Sequence, residues 1–372
     1  MKTDTTQQNI PNGWKQVALG DLVSVTTGSR DANHGSPDGQ YPFFTCAQKV
    51  SKIDEFSFDT EAVLIAGNGD FNVKYYSGKF DAYQRTYVLS DFQNTTGHFV
   101  YQKAKQALND IMRNNQGSSV KFIEMGDLTD YEFILPPVEE QQKIAEILGM
   151  VDEDIAKTQE VIEATEKLKR GLMQGILSFG NKDEVKYLAF GDIGKVSMCK
   201  RIFKEETSDA GDMPFYKIGT FGGEPDSFIS QEIYDKYRNK FSFPKIGDIL
   251  LSASGTIGRK VIYDGKPAYF QDSNIIWLEH DESKILNSFL FHLYDTIKWQ
   301  TEGSTIKRLY NDIFLRKIIP VPSIEKQKQI VEILSAIDEK IMVNRKLKKK
   351  LTLLKKGLMQ DLLSGNVRTI IN

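Results

Sequence analysis

The chain has 372 residues, 40% hydrophobic and 11% aromatic, enough for more than one packed domain. A formal charge of −2 argues against a uniformly basic nucleic-acid binder, and two isolated cysteines, Cys46 and Cys199, argue against a disulfide framework or thiolate metal site. With no apolar run of about 18 residues and no signal-peptide pattern, a cytoplasmic protein is expected.

Residues 1–12 are polar and expected to fray. Short β-type runs follow at 17–26, 41–46, 62–66, 73–76 and 83–89, separated by turns such as Gly67-Asn68-Gly69-Asp70 and Ser77-Gly78. A helical pattern covers 96–113. The module closes near Leu135, and 136–178 reads as a long helix entered through Pro136, with Glu139 and Glu140 in its first turn. Apolar residues recur there every three or four positions: Ile144, Leu148, Val151, Ile155, Ile162, Leu168, Leu172 and Ile176.

After a short linker the chain starts again. Leu19-Gly20-Asp21-Leu22 is echoed by Phe190-Gly191-Asp192-Ile193, and Tyr41-Pro42-Phe43-Phe44 by Met213-Pro214-Phe215-Tyr216. Residues 62–70 correspond to 248–256, and Gly117-Ser118-Ser119-Val120-Lys121 to Gly303-Ser304-Thr305-Ile306-Lys307. Between these anchors the modules diverge. The long helix then returns about 186 residues on, with 18 identities over about 43 positions, from Pro322, Glu325 and Gln327 to Gly357-Leu358-Met359-Gln360. Its seam is Ile330, Leu334, Ile337, Ile341, Leu347, Leu351, Leu354, Leu358 and Leu362, with Ser323 as N-cap. Gly180 and Gly365 are expected to end the two helices.

The first helix carries nine acids and five bases, the second five acids and ten bases, with Arg345, Lys346, Lys348, Lys349, Lys350, Lys355 and Lys356 in its later half. Opposite charge on two long helices of one chain predicts that they pair. The expected fold is therefore α+β: two globular mixed domains, 1–135 and 181–320, joined by helical regions 136–180 and 321–372 that form an antiparallel coiled coil about a pseudo-twofold. Seam positions are Leu148, Val151, Ile155, Thr158 and Ile162 on one helix and Leu334, Ile337, Ile341, Asn344 and Leu351 on the other. The polar pair Thr158 and Asn344 is expected to meet near the centre and fix register.

Catalytic signatures are missing. There is no phosphate-binding G-x-x-x-x-G-K-[ST] loop, no glycine-rich F-x-G-x-G cofactor loop, and His34, His98, His280 and His292 have no metal-ligand spacing. Leu135-Pro136-Pro137-Val138 lacks the asparagine and aromatic of an amino-methyltransferase N-P-P-[FY] site, and the repeat has Ser323 in place of Pro137, so it reads as helix entry.

With Pro-x-x-Glu-x-Gln opening each long helix, Gly-Leu-Met-Gln closing it and two divergent modules around them, the whole chain resembles the specificity (S) subunit of type I restriction–modification systems. The resemblance implies that each module is a target-recognition domain reading one half of a split, asymmetric DNA sequence. It further implies that the helices space the modules and dock two methyltransferase (M) subunits. Those would hold S-adenosylmethionine and methylate adenine. Restriction (R) subunits, where present, would use ATP and Mg. No cofactor, metal or catalytic residue is then expected on this chain and no membrane partner.

Candidate DNA contacts are polar and basic residues of the divergent parts: Arg30, Asn33, Asn68, Asn72, Lys74, Gln84, Arg85 and Lys121 in the first module. In the second they are Lys200, Arg201, Lys217, Thr220, Ser254, Thr256, Arg259, Lys260, Asn274, Lys307 and Arg308. The recurring Lys121 and Lys307 suit phosphate contact; non-recurring Arg and Asn suit base readout. Since the first module has about twelve bases to sixteen acids and the second about twenty of each, attraction must be local. A coiled-coil scaffold with two protein-binding modules is the alternative, and it predicts no salt-sensitive DNA binding; a nuclease would show turnover alone.

Overall fold

The computed structural model describes residues 10–114, 122–178, 185–299 and 307–369. The two expected long helices run Val138–Ser178 and Ile324–Leu363. The chain divides into two compact units, Met1–Glu160 with Arg345–Asn372, and Val161–Asn344. Each therefore takes one module and one part of both helices, a different partition from the four sequence segments.

In the first unit, β1 (Lys15–Ala18) pairs antiparallel with β8 (Glu132–Leu135), closing the module where the long helix starts. Between them lie β2 (Ser24–Thr27), β3 (Tyr41–Phe44), β4 (Ser51–Ile53), β5 (Phe58–Ala66), β6 (Val73–Ala82) and β7 (Thr86–Ser90). They form one sheet in the order β2-β7-β5-β6-β3-β4, with only β3 and β6 parallel. The predicted strand 17–26 is two strands, because the buried Leu19 enters a tight turn at Gly20-Asp21 and the Asp21 carboxylate accepts the Ala18 N–H. Val63 and Ile65 of β5 pack with Leu89 against Phe99, Val100 and Ala104 of the helix Gly97–Asn114. Ala62 and Leu64 alternate to the other face, joining Phe44, Phe80 and Val88.

The second unit repeats this plan in pieces. β9 (Val185–Ala189) pairs with β18 (Ile318–Pro322) as β1 does with β8. β10 (Gly194–Ser197), β14 (Ile249–Ser252), β15 (Lys260–Ile262) and β17 (Ile275–His280) form one four-stranded sheet. β11 (Thr207–Ser208), β12 (Met213–Tyr216), β13 (Phe228–Ile229) and β16 (Tyr269–Phe270) form another, and β12 runs parallel to β16 as β3 does to β6. The long β6 is here divided into β15 and β16, because Gly265 at φ 87° turns the chain between them.

Within each unit the two long-helix segments run antiparallel. Asp152 binds Lys355, and seven residues further along, the Gln159 side-chain oxygen accepts from the Lys348 ammonium at 2.7 Å, seven residues back. In the second unit Lys169 binds Asp338 at 2.6 Å. These are one interaction duplicated: Asp152 and Asp338 are repeat equivalents, as are Lys169 and Lys355.

The register corrects the expected pairing of Thr158 with Asn344. Continuing it, Thr158 is level with Lys349 inside the first unit, and Asn344 with Glu163 inside the second. Thr158 donates to the Asp154 carbonyl and Asn344 to the Lys340 carbonyl, each in its own helix. Leu148, Ile162, Leu334 and Ile341 are buried, and Val151, Ile155, Ile337 and Leu351 are half-buried. Gly365, at φ 74°, ends the second helix; Gly180 lies outside the described residues.

Candidate nucleic-acid interface

The same backbone frame is built in both units. In the first, the Gly67 N–H donates to the Arg85 carbonyl (2.8 Å), Ile123 N–H to the Gly67 carbonyl (2.8 Å) and Tyr83 N–H to the Phe44 carbonyl (2.9 Å). In the second, Ala253 donates to Asn274 (2.7 Å), Leu309 to Ala253 (2.8 Å) and Gln271 to Tyr216 (3.0 Å). Bridges Asn68–Phe122 and Ser254–Arg308 complete it. The frame thus brings together the glycine turn after the central strand, the turn after the parallel strand and the segment beyond 121 or 306. On it the side chains differ position by position: Tyr83 and Arg85 against Gln271 and Asn274, Asn68 against Ser254, Phe122 against Arg308.

The structure sorts the first unit's candidates. Gln84 and Arg85 are exposed on the turn that carries the frame. Asn33 lies in the exposed turn Ala32–His34, its N–H capped by Asp31. Arg30 is paired with Glu55 at 2.6 Å and lies 3.5 Å from Asp81, so its charge is largely answered. Asn68 accepts from the Cys46 thiol at 2.9 Å. Asn72 is buried and donates to the carbonyls of Cys46 and Asp70. The Lys74 ammonium donates to the Ala47 carbonyl at 2.8 Å and to Asn72, and burial holds its pKa below the usual lysine value. Asn72 and Lys74 thus knit the loop from inside, leaving no free donor pattern to offer DNA. Lys121 lies outside the described residues.

In the second unit Arg201, Lys217, Asn274 and Arg308 line one polar cleft of about 430 Å³. Arg201 is paired with Asp272 at 2.9 Å and Lys217 with Asp226 at 3.5 Å. Ser254 is buried and donates to the Asn274 side-chain oxygen at 2.7 Å. Lys307 and Thr256 are exposed, Lys200 stands over the Phe241 ring at 5.4 Å, and Thr220 closes a turn on the Lys217 carbonyl. Arg259 is spent on the Phe221 carbonyl (2.7 Å). Lys260 is turned inward, 2.6 Å from Asp295 and over the Phe291 ring at 3.9 Å; burial lowers its pKa, and it leaves the set of exposed cations.

Gln271 was missed by sequence reasoning although it lines this cleft. The signal was the shared position after the parallel strand, where Ala82-Tyr83 aligns with Phe270-Gln271. The Cys46 thiol donates to Asn68, and burial pushes the Cys199 thiol up to about 12. Among the described residues no group of three or more His, Cys, Asp or Glu is placed to hold a metal, and no helix is long and apolar enough to cross a membrane.

Two divergent polar surfaces on one duplicated frame define a DNA-recognition subunit with two reading domains. A family described as "Type I restriction modification DNA specificity domain" matches residues 11–166 and 182–353, and the chain belongs to it. It is the specificity subunit of a type I restriction–modification system, a non-catalytic component with two target-recognition domains. A Haemophilus influenzae sequence described as a type I restriction enzyme specificity subunit is 36% identical over 339 residues, covering 87% of both chains. The Escherichia coli type I restriction enzyme EcoDI specificity subunit is 42% identical over 176 residues, 47% of this chain and 39% of that one. The crystal structure of a type I restriction–modification S subunit from M. genitalium matches with a TM-score of 0.67 at 18% identity, over 98% of each chain.

Proposed function

We propose that each unit reads one half of an asymmetric bipartite DNA target, that the paired helices set the spacing, and that they dock methyltransferase subunits carrying S-adenosylmethionine. Restriction subunits, where present, would join the same assembly and use ATP and Mg. The observation that carries this reading is the duplicated frame with non-equivalent side chains: repeated backbone gives two readers the same posture, and Tyr83 and Arg85 against Gln271 and Asn274 give them different chemistry.

Docking is supported by apolar side chains left exposed on the long helices. Met150, Leu353 and Leu354 are exposed in the first unit, and Val161, Leu168, Ile333, Met342 and Val343 in the second. On a helix otherwise rich in charge, such exposure marks a surface awaiting a partner. A scaffold of protein-binding modules would share these helices but has no use for the cleft cations.

The test is exchange of residues 1–135 for the corresponding module of a relative, in complex with the methyltransferase subunits. Methylation mapped by sequencing is expected to change in one half-sequence and to keep the other. Change in both halves, or methyl transfer by the isolated chain, would overturn the reading.

A further inference from the structure

We propose that Gln271 is a specificity-determining residue, a fixed hydrogen-bond donor that selects an acceptor-bearing base edge at one position of one half-site. This rests on the reading of the second unit as a DNA reader.

Gln271 is half-buried and lines the 430 Å³ cleft with Arg201, Lys204, Lys217, Asn274 and Arg308. Its side-chain oxygen accepts the backbone N–H of Ile218 at 2.9 Å. A peptide N–H can only donate, so the carbonyl end of the amide must face Ile218 and its orientation is not interchangeable. The amide nitrogen is thereby held away from Ile218, and it has no partner among the described residues. An unengaged donor of fixed polarity, half-exposed in a cleft where the exposed Lys204 and Arg308 stand in no ion pair among the described residues, is what base readout needs.

The backbone around it is set with unusual care. Ser273 is left-handed at φ 59° without being glycine, a strained conformation that the surrounding bonds must hold. It is held by Asn274 N–H on the Asp272 carbonyl at 2.6 Å and Ile275 N–H on the Gln271 carbonyl at 3.1 Å. Asp272 in turn binds Arg201 at 2.9 Å, so the turn reaching from Gln271 to Asn274 is tied to the cleft wall. In the first unit the equivalent position is Tyr83 and the turn is one residue shorter, so the two units do not read alike there.

A donor finds acceptors on purine N7, guanine O6 and thymine O4 in the major groove, whereas cytosine presents its N4 amino donor. The base facing Gln271 is therefore one of the first three and cytosine is excluded. Gln271→Glu keeps an oxygen for Ile218 and replaces the donor by an acceptor, so it should admit cytosine. Gln271→Met removes the donor and should accept any base.

The experiment uses the full-length chain with its methyltransferase subunits in cells free of other adenine methylation, reading the methylated motif by long-read sequencing. With Gln271→Met, discrimination at one position of one half-site is expected to fall about ten- to a hundredfold. With Gln271→Glu, cytosine is expected to appear at that same position. The other half and the spacer should stay as in the wild type. An unchanged motif, a change in the other half, or a uniform loss of methylation at every site would overturn the assignment. Loss of folding in both variants would make Gln271 a structural residue and do the same. If the wild type itself yields no bipartite motif, it is the DNA-reader reading that fails, and this one falls with it.

Discussion

At the scale of single residues, burial decides what a charged or polar side chain does. His292 is buried, its Nδ1 has no hydrogen-bond partner among the described residues and lies 3.5 Å from an Asp338 oxygen, and Lys169 and Lys260 bring like charge nearby. Burial first, then Lys169, lowers its pKa to about 4 from 6.5. The folded state thus binds fewer protons than the unfolded state between those values, and stability rises with pH there. Acidification from 6.5 to 4 should progressively cost up to about 3 kcal/mol, at 1.36 kcal/mol per unit. Urea denaturation across that window checks this: His292→Gln should flatten the slope by His292's share, and an unchanged slope would refute the assignment. The same inwardness explains why Asn72, Lys74 and Lys260 could not be sorted from Arg85 and Asn274 in sequence. A lysine's letter does not say whether a carbonyl such as that of Ala47 waits within its reach.

At the scale of elements, the long helices were legible because heptads and the repeat are local patterns, whereas what anchors their ends was not. Gln141 and Gln327, repeat equivalents, are fully buried at the starts of the two helices. Each donates to the carbonyl of the preceding proline, Pro136 or Pro322, at 2.9 Å, and to a carbonyl of its own module, Asn94 or Lys284, at 3.1 Å. Each also accepts, from the Thr95 hydroxyl or the Leu286 N–H, at 2.8 Å. Replacing either with leucine should cost about 2–3 kcal/mol, since the buried proline carbonyl and the Thr95 or Leu286 donor lose their amide partner. Chemical denaturation should show a similar loss for both; a cost below about 0.5 kcal/mol would show that water replaces the amide.

Glu140, by contrast, belongs to one unit alone. Its fully buried carboxylate accepts from Trp14 at 3.0 Å and from Arg368 at 2.8 and 2.9 Å. Burial would raise its pKa, but the bonds from Arg368 and Trp14 outweigh it and hold the group below its usual value. Its repeat equivalent is Lys326, so the bond has no counterpart in the second unit. Arg368→Ala should destabilise by about 3 kcal/mol, because it leaves a buried charge with the indole and one backbone N–H only. Stability should also fall as pH drops through the depressed carboxylate range, less so in the variant. A thermal-melting shift under about 2 °C would argue that solvent reaches Glu140.

At the scale of the whole molecule, the repeat supplies the two-reader plan, and under the proposed function the helices are its ruler. The expected central contact between Thr158 and Asn344 did not survive because identity of position under the repeat is not identity of height along an antiparallel pair. Height follows from where charges meet, at Asp152–Lys355 and Lys169–Asp338, and those partners are far apart in sequence. That register permits a clean test of the ruler. Deleting residues 157–163 and 344–350 removes one heptad from each helix and leaves both ion pairs and the seam in phase. At 1.5 Å per residue the rod of roughly 58 Å shortens by about 10 Å, the rise of about three base pairs. On the proposed function, two readers on one face of the duplex predict half-site centres about ten base pairs apart with a spacer of about six to eight. The shortened protein should therefore prefer a target with about three fewer spacer pairs and unchanged half-sequences. Since three pairs also rotate one half-site by roughly 100° about the duplex axis, its affinity even for the best new target should fall. Selection from a library with randomised spacer length reads both quantities. Retention of the original spacer, or a change in either half-sequence, would show that something other than helix length sets the spacing.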